Sequence, residues 1–136
     1  MDPLPPAEVA RRWFQVMWNE RKSELIAELM ATGAVGHLEG GQKSVGPEGF
    51  AAFRDEFLAA VPDLHLVVVK ILSDTEEACV HWEATGTHQG AGMGLAPSNR
   101  ALAFNGVTWL RVKDGKIIEG WDFWNIGGLM QTMSAP

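Results

Sequence analysis

The chain contains no tyrosine and a single cysteine, Cys79, and no apolar run approaches the roughly 20 residues that a bilayer-spanning helix requires. Without a second cysteine no internal disulfide can form, and nothing points to an oxidising compartment. Without tyrosine, no phenol is available to donate a hydrogen bond to a developing oxyanion. Basic residues are scarce as well: 11 Lys and Arg stand against 17 Asp and Glu, a formal charge of -6. They form no stripe, so the counterion release that drives nucleic-acid binding has no source. Neither nucleic acid nor a membrane is expected as a partner. The start, Met-Asp-Pro-Leu-Pro-Pro, lacks the basic and apolar regions of a signal peptide. A cytoplasmic protein is the expectation.

What is present is an apolar, aromatic chain of 136 residues, 46% hydrophobic, with six Trp and six Phe. That length suits one domain, residues 1–136, with one core. Ala10, Trp13, Phe14 and Met17 recur at helical spacing, as do Leu25, Ile26, Leu29 and Met30, which predicts two helical segments or one bent helix over about 7–31. A short apolar stretch, Val35 to Leu38, precedes Gly40-Gly41 and Gly46-Pro47. Phe50, Phe53, Phe57 and Val61 then mark another helix, with Pro47 and Glu48 in its first turn and Pro62 as its stop.

From Leu64 onward the period changes. Leu64 to Leu72 is rich in β-branched residues, and Ala78, Val80, Trp82 and Ala84 alternate with Cys79, His81, Glu83 and Thr85. A Gly-rich connection, Gly90 to Asn99, reads as a mobile rim and leads into a strand over Ala101 to Val112. Lys113-Asp114-Gly115-Lys116 turns that strand into a last one. Helices followed by an antiparallel meander argue for an α+β domain, a cone-shaped curved sheet wrapped around N-terminal helices with a cavity at its open end.

The last strand carries Gly120-Trp121-Asp122-Phe123-Trp124-Asn125. A carboxylate among large rings is poorly solvated, so its pKa should rise toward the range where it both takes and gives a proton. The competing reading is a strand residue that points to water while its neighbours point inward. The hairpin register bears on the choice. A type I turn with Gly115 in a left-handed bulge sets Val112 opposite Lys116 and Gly106 opposite Asp122. Asp122 then shares a face with Phe104, Thr108, Leu110, Ile118 and Trp124. A two-residue turn instead groups Asp122 with Asn105, Val107 and Trp109. The first set is the more apolar.

Several strings in order, His37, Gly46-Pro47-Glu48-Gly49-Phe50, Val61-Pro62-Asp63-Leu64, Gly86-Thr87-His88-Gln89-Gly90 and Asp114-Gly115-Lys116-Ile117-Ile118-Glu119-Gly120-Trp121-Asp122, resemble the SnoaL-like polyketide cyclase family. That family belongs to the nuclear transport factor 2-like, cystatin-like α+β cone superfamily, and the resemblance covers nearly the whole chain. It implies intramolecular aldol ring closure with a strand Asp as acid and base, without metal or cofactor. Asp122 matches that Asp. Thr108 falls where those enzymes carry a cavity His, and a threonine cannot shuttle a proton near neutral pH.

Other candidates have two readings each. His37, near the cavity mouth, is either a contact to a substrate carbonyl or a partly buried His bonded to backbone. His88, at a strand end, either touches substrate or anchors a loop. Trp18, Met30, Phe53, Phe57, Phe104 and Trp124 are core singly, yet together at one end of a cone some of them should line a pocket for a flat, apolar molecule. A metal site from His37, Glu39, His81 and Glu83 is conceivable, but no helix-borne His pair or Cys pair accompanies it, and neither metal nor cofactor is expected. The substrate-binding set is therefore Trp18, His37, Phe53, Phe57, His88, Phe104, Thr108 and Trp124, with Asp122 as catalyst. The expected ligand is a small apolar or aromatic carbonyl compound, for a cyclase, lyase or isomerase. The alternative is a non-catalytic apolar-ligand binder or interaction domain. A convex sheet face with Val67, Val69 and Trp109 should pair with a second copy to form a homodimer.

Overall fold

A computed structural model describes residues 2–134. Those residues form four α-helices, a π-helical segment and a six-stranded sheet in the spatial order β2-β1-β6-β5-β4-β3. In chain order these are α1 (Pro6–Arg12), the π-helical segment (Trp13–Asn19), α2 (Glu24–Leu29), β1 (Met30–His37), β2 (Lys43–Val45) and α3 (Gly46–Ala60). They are followed by β3 (His65–Ser73), β4 (Glu77–Thr87), β5 (Ala101–Lys113), β6 (Lys116–Trp124) and α4 (Ile126–Ser134). The expected helices and strands are present. Sequence reasoning did not identify β2 or α4, although Ile126, Leu129, Met130 and Met133 recur at helical spacing.

The first helical region changes character midway. Wider i→i+5 turns over Trp13–Asn19 bring Trp13 and Trp18, five residues apart, onto one side, and both are buried. Asn19 then ends the segment by bonding edge strand β3 twice: its Nδ2 donates to Leu66 O at 2.7 Å, and Leu66 N donates to its Oδ1 at 2.8 Å. A side-chain amide thus satisfies backbone groups that the edge would leave open.

Strands β3 to β6 make the antiparallel meander, and β1 joins it by running parallel to β6. The helices cover the concave face. Their apolar sides and the inward strand residues form a contiguous core that includes Val9, Met17, Phe57, Val80, Leu110 and Ile117.

The β5–β6 hairpin combines both expected forms. Asp114 and Gly115 both take positive φ, 53° and 77°, and Lys113 pairs with Lys116 across a two-residue turn. One step further the register shifts: Val112 pairs with Ile117 but Arg111 with Glu119. The extra residue is Ile118, so Ile117 points into the core in its place. Beyond this bulge Thr108, not Gly106, lies opposite Asp122. The bulge restores the parity that the turn alone would reverse, so Asp122 shares the apolar face with Thr108, Leu110 and Trp124.

Candidate active site

Asp122 sits on the concave face of β6 at the floor of a cavity lined mostly by aromatic and aliphatic side chains. The cavity leaves about 70 Å³ for the centres of water-sized molecules, several waters' worth. A ring-bearing guest there would touch aromatic walls. Phe57 packs edge-on against Trp124 with ring centres 5.9 Å apart, and Phe104 lies 5.3 Å from Trp124. From Phe57 the contacts continue through Phe53 and Phe50 to Trp13 and Trp18.

Gly106 makes room for the two indoles nearest Asp122. It pairs with Trp82 on one side and Trp124 on the other, and a Cβ there would stand 2.6 Å from the Trp82 ring and 2.8 Å from both the Phe123 carbonyl oxygen and Trp124 Cβ. Only glycine fits. The Trp82 ring consequently reaches along the sheet, and its Nε1–H donates to Thr108 Oγ1 at 2.9 Å. Thr108 Oγ1 in turn donates to Asp122 Oδ1 at 2.6 Å. An indole nitrogen is a donor only and a carboxylate an acceptor only, so with Asp122 ionised the polarity of this chain is determined: the threonine proton points at the carboxylate.

Three effects act on the acid. Burial among apolar rings disfavours its anion, the Thr108 hydrogen bond favours it, and the nearby Glu39 charge disfavours it again. Burial dominates, and the pKa is pushed up from 3.8 to about 6. The side chain keeps partial accessibility, and it lines the cavity. Among the described residues no hydrogen bond reaches Oδ2, which leaves it for a guest.

Of the proposed substrate contacts, Trp18, Phe53, Phe57, Phe104, Thr108 and Trp124 line the cavity with Asp122. The two histidines do not. His37 pairs with Trp121 on the outer side of the sheet, where the rings stack 5.2 Å apart, and its Nε2 is 2.8 Å from Glu119 Oε2. Strand alternation sends Leu38 inward and His37 outward. His88 is fully buried and anchors the following loop, with Nδ1 2.8 Å from Ser98 Oγ and accepting from Ser98 N at 3.2 Å. That loop does not form the rim of this cavity. Gly90 N bonds Ala60 O, and Met93 N bonds Glu56 Oε2 at 2.8 Å, which lays the segment along α3.

Sequence reasoning named Glu39 only as a conceivable metal ligand and did not single out Trp82. Trp82's alternation with His81 and Glu83 marked it as inward, but not as a hydrogen-bond donor to Thr108. Among the described residues no group of three or more His, Cys, Asp or Glu side chains is placed to hold a metal ion. His37 ends β1 and Glu39 lies just beyond it, whereas His81 and Glu83 lie on β4, with β6 and β5 in between.

A curved α+β sheet closed by helices over an acid-bearing aromatic cavity is the nuclear transport factor 2-like architecture, shared with a solved structure described as having a ketosteroid isomerase-like fold. The chain belongs to the SnoaL-like polyketide cyclase family, whose model matches residues 8–133. A protein of Jannaschia sp. CCS1, provisionally assigned as a SnoaL-like polyketide cyclase, is 25% identical, with a TM-score of 0.89 over 100% of this chain and 99% of that one. IdmH of Streptomyces antibioticus, provisionally assigned as a polyketide cyclase, is 27% identical over 96% of both chains, with a TM-score of 0.79. AclR of Streptomyces galilaeus, provisionally assigned as a hydroxylase, is 26% identical over 96% of this chain and 83% of that one, also at 0.79. No curated protein matches the chain. No helix among the described residues is long and apolar enough to cross a membrane.

Proposed function

We propose that this protein is a cofactor-independent acid–base enzyme acting on a neutral, apolar, polyketide-like carbonyl compound. In this reading Asp122 Oδ2 takes a proton from the carbon next to a carbonyl. The resulting enolate carbon bonds to a second carbonyl carbon of the same molecule, and the alkoxide so formed takes the proton back from Asp122. Isomerisation would return the proton to a different carbon instead. Relatives of the same fold carry cyclase and hydroxylase assignments, so the site, not the fold, supports the reaction.

The observation that supports the reading most is a cavity carboxyl pushed up to about 6, near the pH at which one group can serve as base and then as acid. Among the described residues Asp122 is the only charged one of the lining. Among them the lining also contains no Lys, Arg, His, Asn, Gln or Tyr, so apart from Thr108 its side-chain donors are indoles. Enolate charge would therefore spread mainly into the substrate's own conjugated system, and a substrate bearing a carboxylate or phosphate would meet no cation there. A carbon-13 NMR titration of Asp122 tests the reading. The midpoint is expected near 6. A midpoint near the ordinary 3.8 would rule out the base role and leave a non-catalytic apolar binder.

The outer sheet face supports the reading as a homodimer. Val107 and Phe123 are 37% and 53% exposed beside the Trp109–Trp121 stack, whose ring centres lie 4.3 Å apart, while Val67, 48% exposed, lies apart from them on β3 opposite Glu83. An apolar stripe of this kind on one face favours a second copy as partner. Sedimentation at micromolar concentration is expected to show a dimer that Phe123→Lys dissociates. A wild-type monomer would overturn this.

A further inference from the structure

β1 ends at His37, which pairs with Trp121 of the parallel strand β6. Beyond that pair the chain turns away through Gly40 and Gly41, and the later amides of β6 lose their strand neighbour on this side. Glu39 takes its place. Trp124 N donates to Glu39 Oε2 at 2.9 Å, where a continuing strand would have offered a carbonyl. The other oxygen accepts from Gly40 N at 3.4 Å. Trp124 lies two residues beyond Asp122 on β6, so this bond sets the Glu39 carboxylate near Asp122. The two acids are near neighbours by topology.

We propose that Glu39 is a positioning residue for Asp122: its carboxylate holds the end of β6, carrying Asp122 and Trp124, and its negative charge opposes ionisation of Asp122. The catalytic meaning rests on the proposed function, whereas the electrostatic effect does not. The direction of the Asp122 pKa agrees with it, since the Glu39 charge adds to burial and both act against the Thr108 bond. Among the described residues no other charged group shares the lining. From α3, Arg54 turns instead to Ser23, Asp55 and the Met17 carbonyl. From β1, β5 and β6, His37, Arg111 and Glu119 interact with one another on the outer side of the sheet. β4 and the π-helical segment present Trp82, Trp13, Phe14 and Trp18.

Glu39→Gln separates the two roles, because an amide oxygen still accepts from Trp124 N but carries no charge. In a carbon-13 titration the Asp122 midpoint should fall by about half a unit, the scale for loss of a nearby like charge in partly wet protein. The Trp124 amide should stay protected from exchange. An unmoved Asp122 midpoint in the folded variant would overturn the proposal and leave Glu39 as a strand cap only. Should the variant fail to fold, the wild-type protein decides. The Asp122 midpoint must then fall as added salt screens the like charge beside it, and a salt-independent midpoint would equally overturn the proposal. The titration needs no substrate, so it can fail or succeed independently of the base assignment. Where turnover is measurable, the acid limb of kcat/KM should move to lower pH in Glu39→Gln.

Discussion

Asp122→Asn is expected to abolish turnover, spare ligand binding and stabilise the protein at neutral pH. Asparagine preserves the shape and can still accept from Thr108 at its amide oxygen, but it cannot take a proton. Loss of a positioned general base costs about 10²–10⁴-fold in rate. The stability change follows from linkage. The folded-state pKa, about 6, lies above the ordinary 3.8, so the folded protein binds the proton more tightly than the unfolded chain does. Wild-type stability from this group is therefore fully present below about pH 4, declines as the pH rises between the two values, and carries the whole penalty above about 6. The gap corresponds to at most about 3 kcal/mol, an upper figure because Asp122 keeps partial exposure to solvent. The amide has no such ionisation, so the advantage of the variant should be absent near pH 4 and largest near pH 8. Denaturant unfolding at both pH values reads the stability, and tryptophan fluorescence with a neutral aromatic ketone reads the binding. Undiminished turnover on an authentic substrate would end the enzymatic reading, and an equal stability change at both pH values would end the linkage argument.

Thr108→Val is expected to destabilise the fold and move the pH dependence of activity upward. Valine matches the shape of threonine but offers neither an acceptor to Trp82 Nε1 nor a proton to Asp122 Oδ1. A buried indole N–H left without a partner costs about 1–3 kcal/mol. Removing the one bond that favours the carboxylate should raise the Asp122 midpoint above its wild-type position. The ionised base becomes scarce at pH 6–7, so kcat/KM there should drop, with recovery at higher pH where Asp122 ionises again. Thr108→Ser keeps both bonds and should restore the wild-type pH profile. An Asp122 midpoint that stays put or falls in the valine variant would show that the hydroxyl does not stabilise the carboxylate. In the proposed reading Thr108 orients and tunes the acid through these two bonds and does not relay protons.

The hairpin shows how much of this site was legible in advance. The alternation of apolar residues on β5 indicated which face is buried, because a slip of one residue would turn that whole set toward water. Packing therefore protects the parity of the register, and Asp122 was placed on the correct face. The exact pairing was not legible. A two-residue turn followed by a bulge at Ile118 gives the same parity as a bulged turn but shifts the pairing by two, and no local composition marks the bulge. His37 illustrates the opposite limit. Its place beside the cavity mouth was readable, but its direction depended on alternation from Leu38 and on stacking across to Trp121, a residue more than eighty positions away. His88 ended in a loop anchor because Ser98, ten residues on, folds back onto its ring.

By itself, the sequence determined the α+β class, the helix and strand order, the aromatic character of the cavity and the candidacy of Asp122, because periodicity and composition express local preferences and burial. Only the tertiary structure decided what surrounds that acid. The Trp82–Thr108–Asp122 chain, the gap left by Gly106 and the reach of Glu39 to Trp124 each join residues from different strands or from the loop beyond one. Their hydrogen bonds depend on register and side-chain direction, which long-range packing sets.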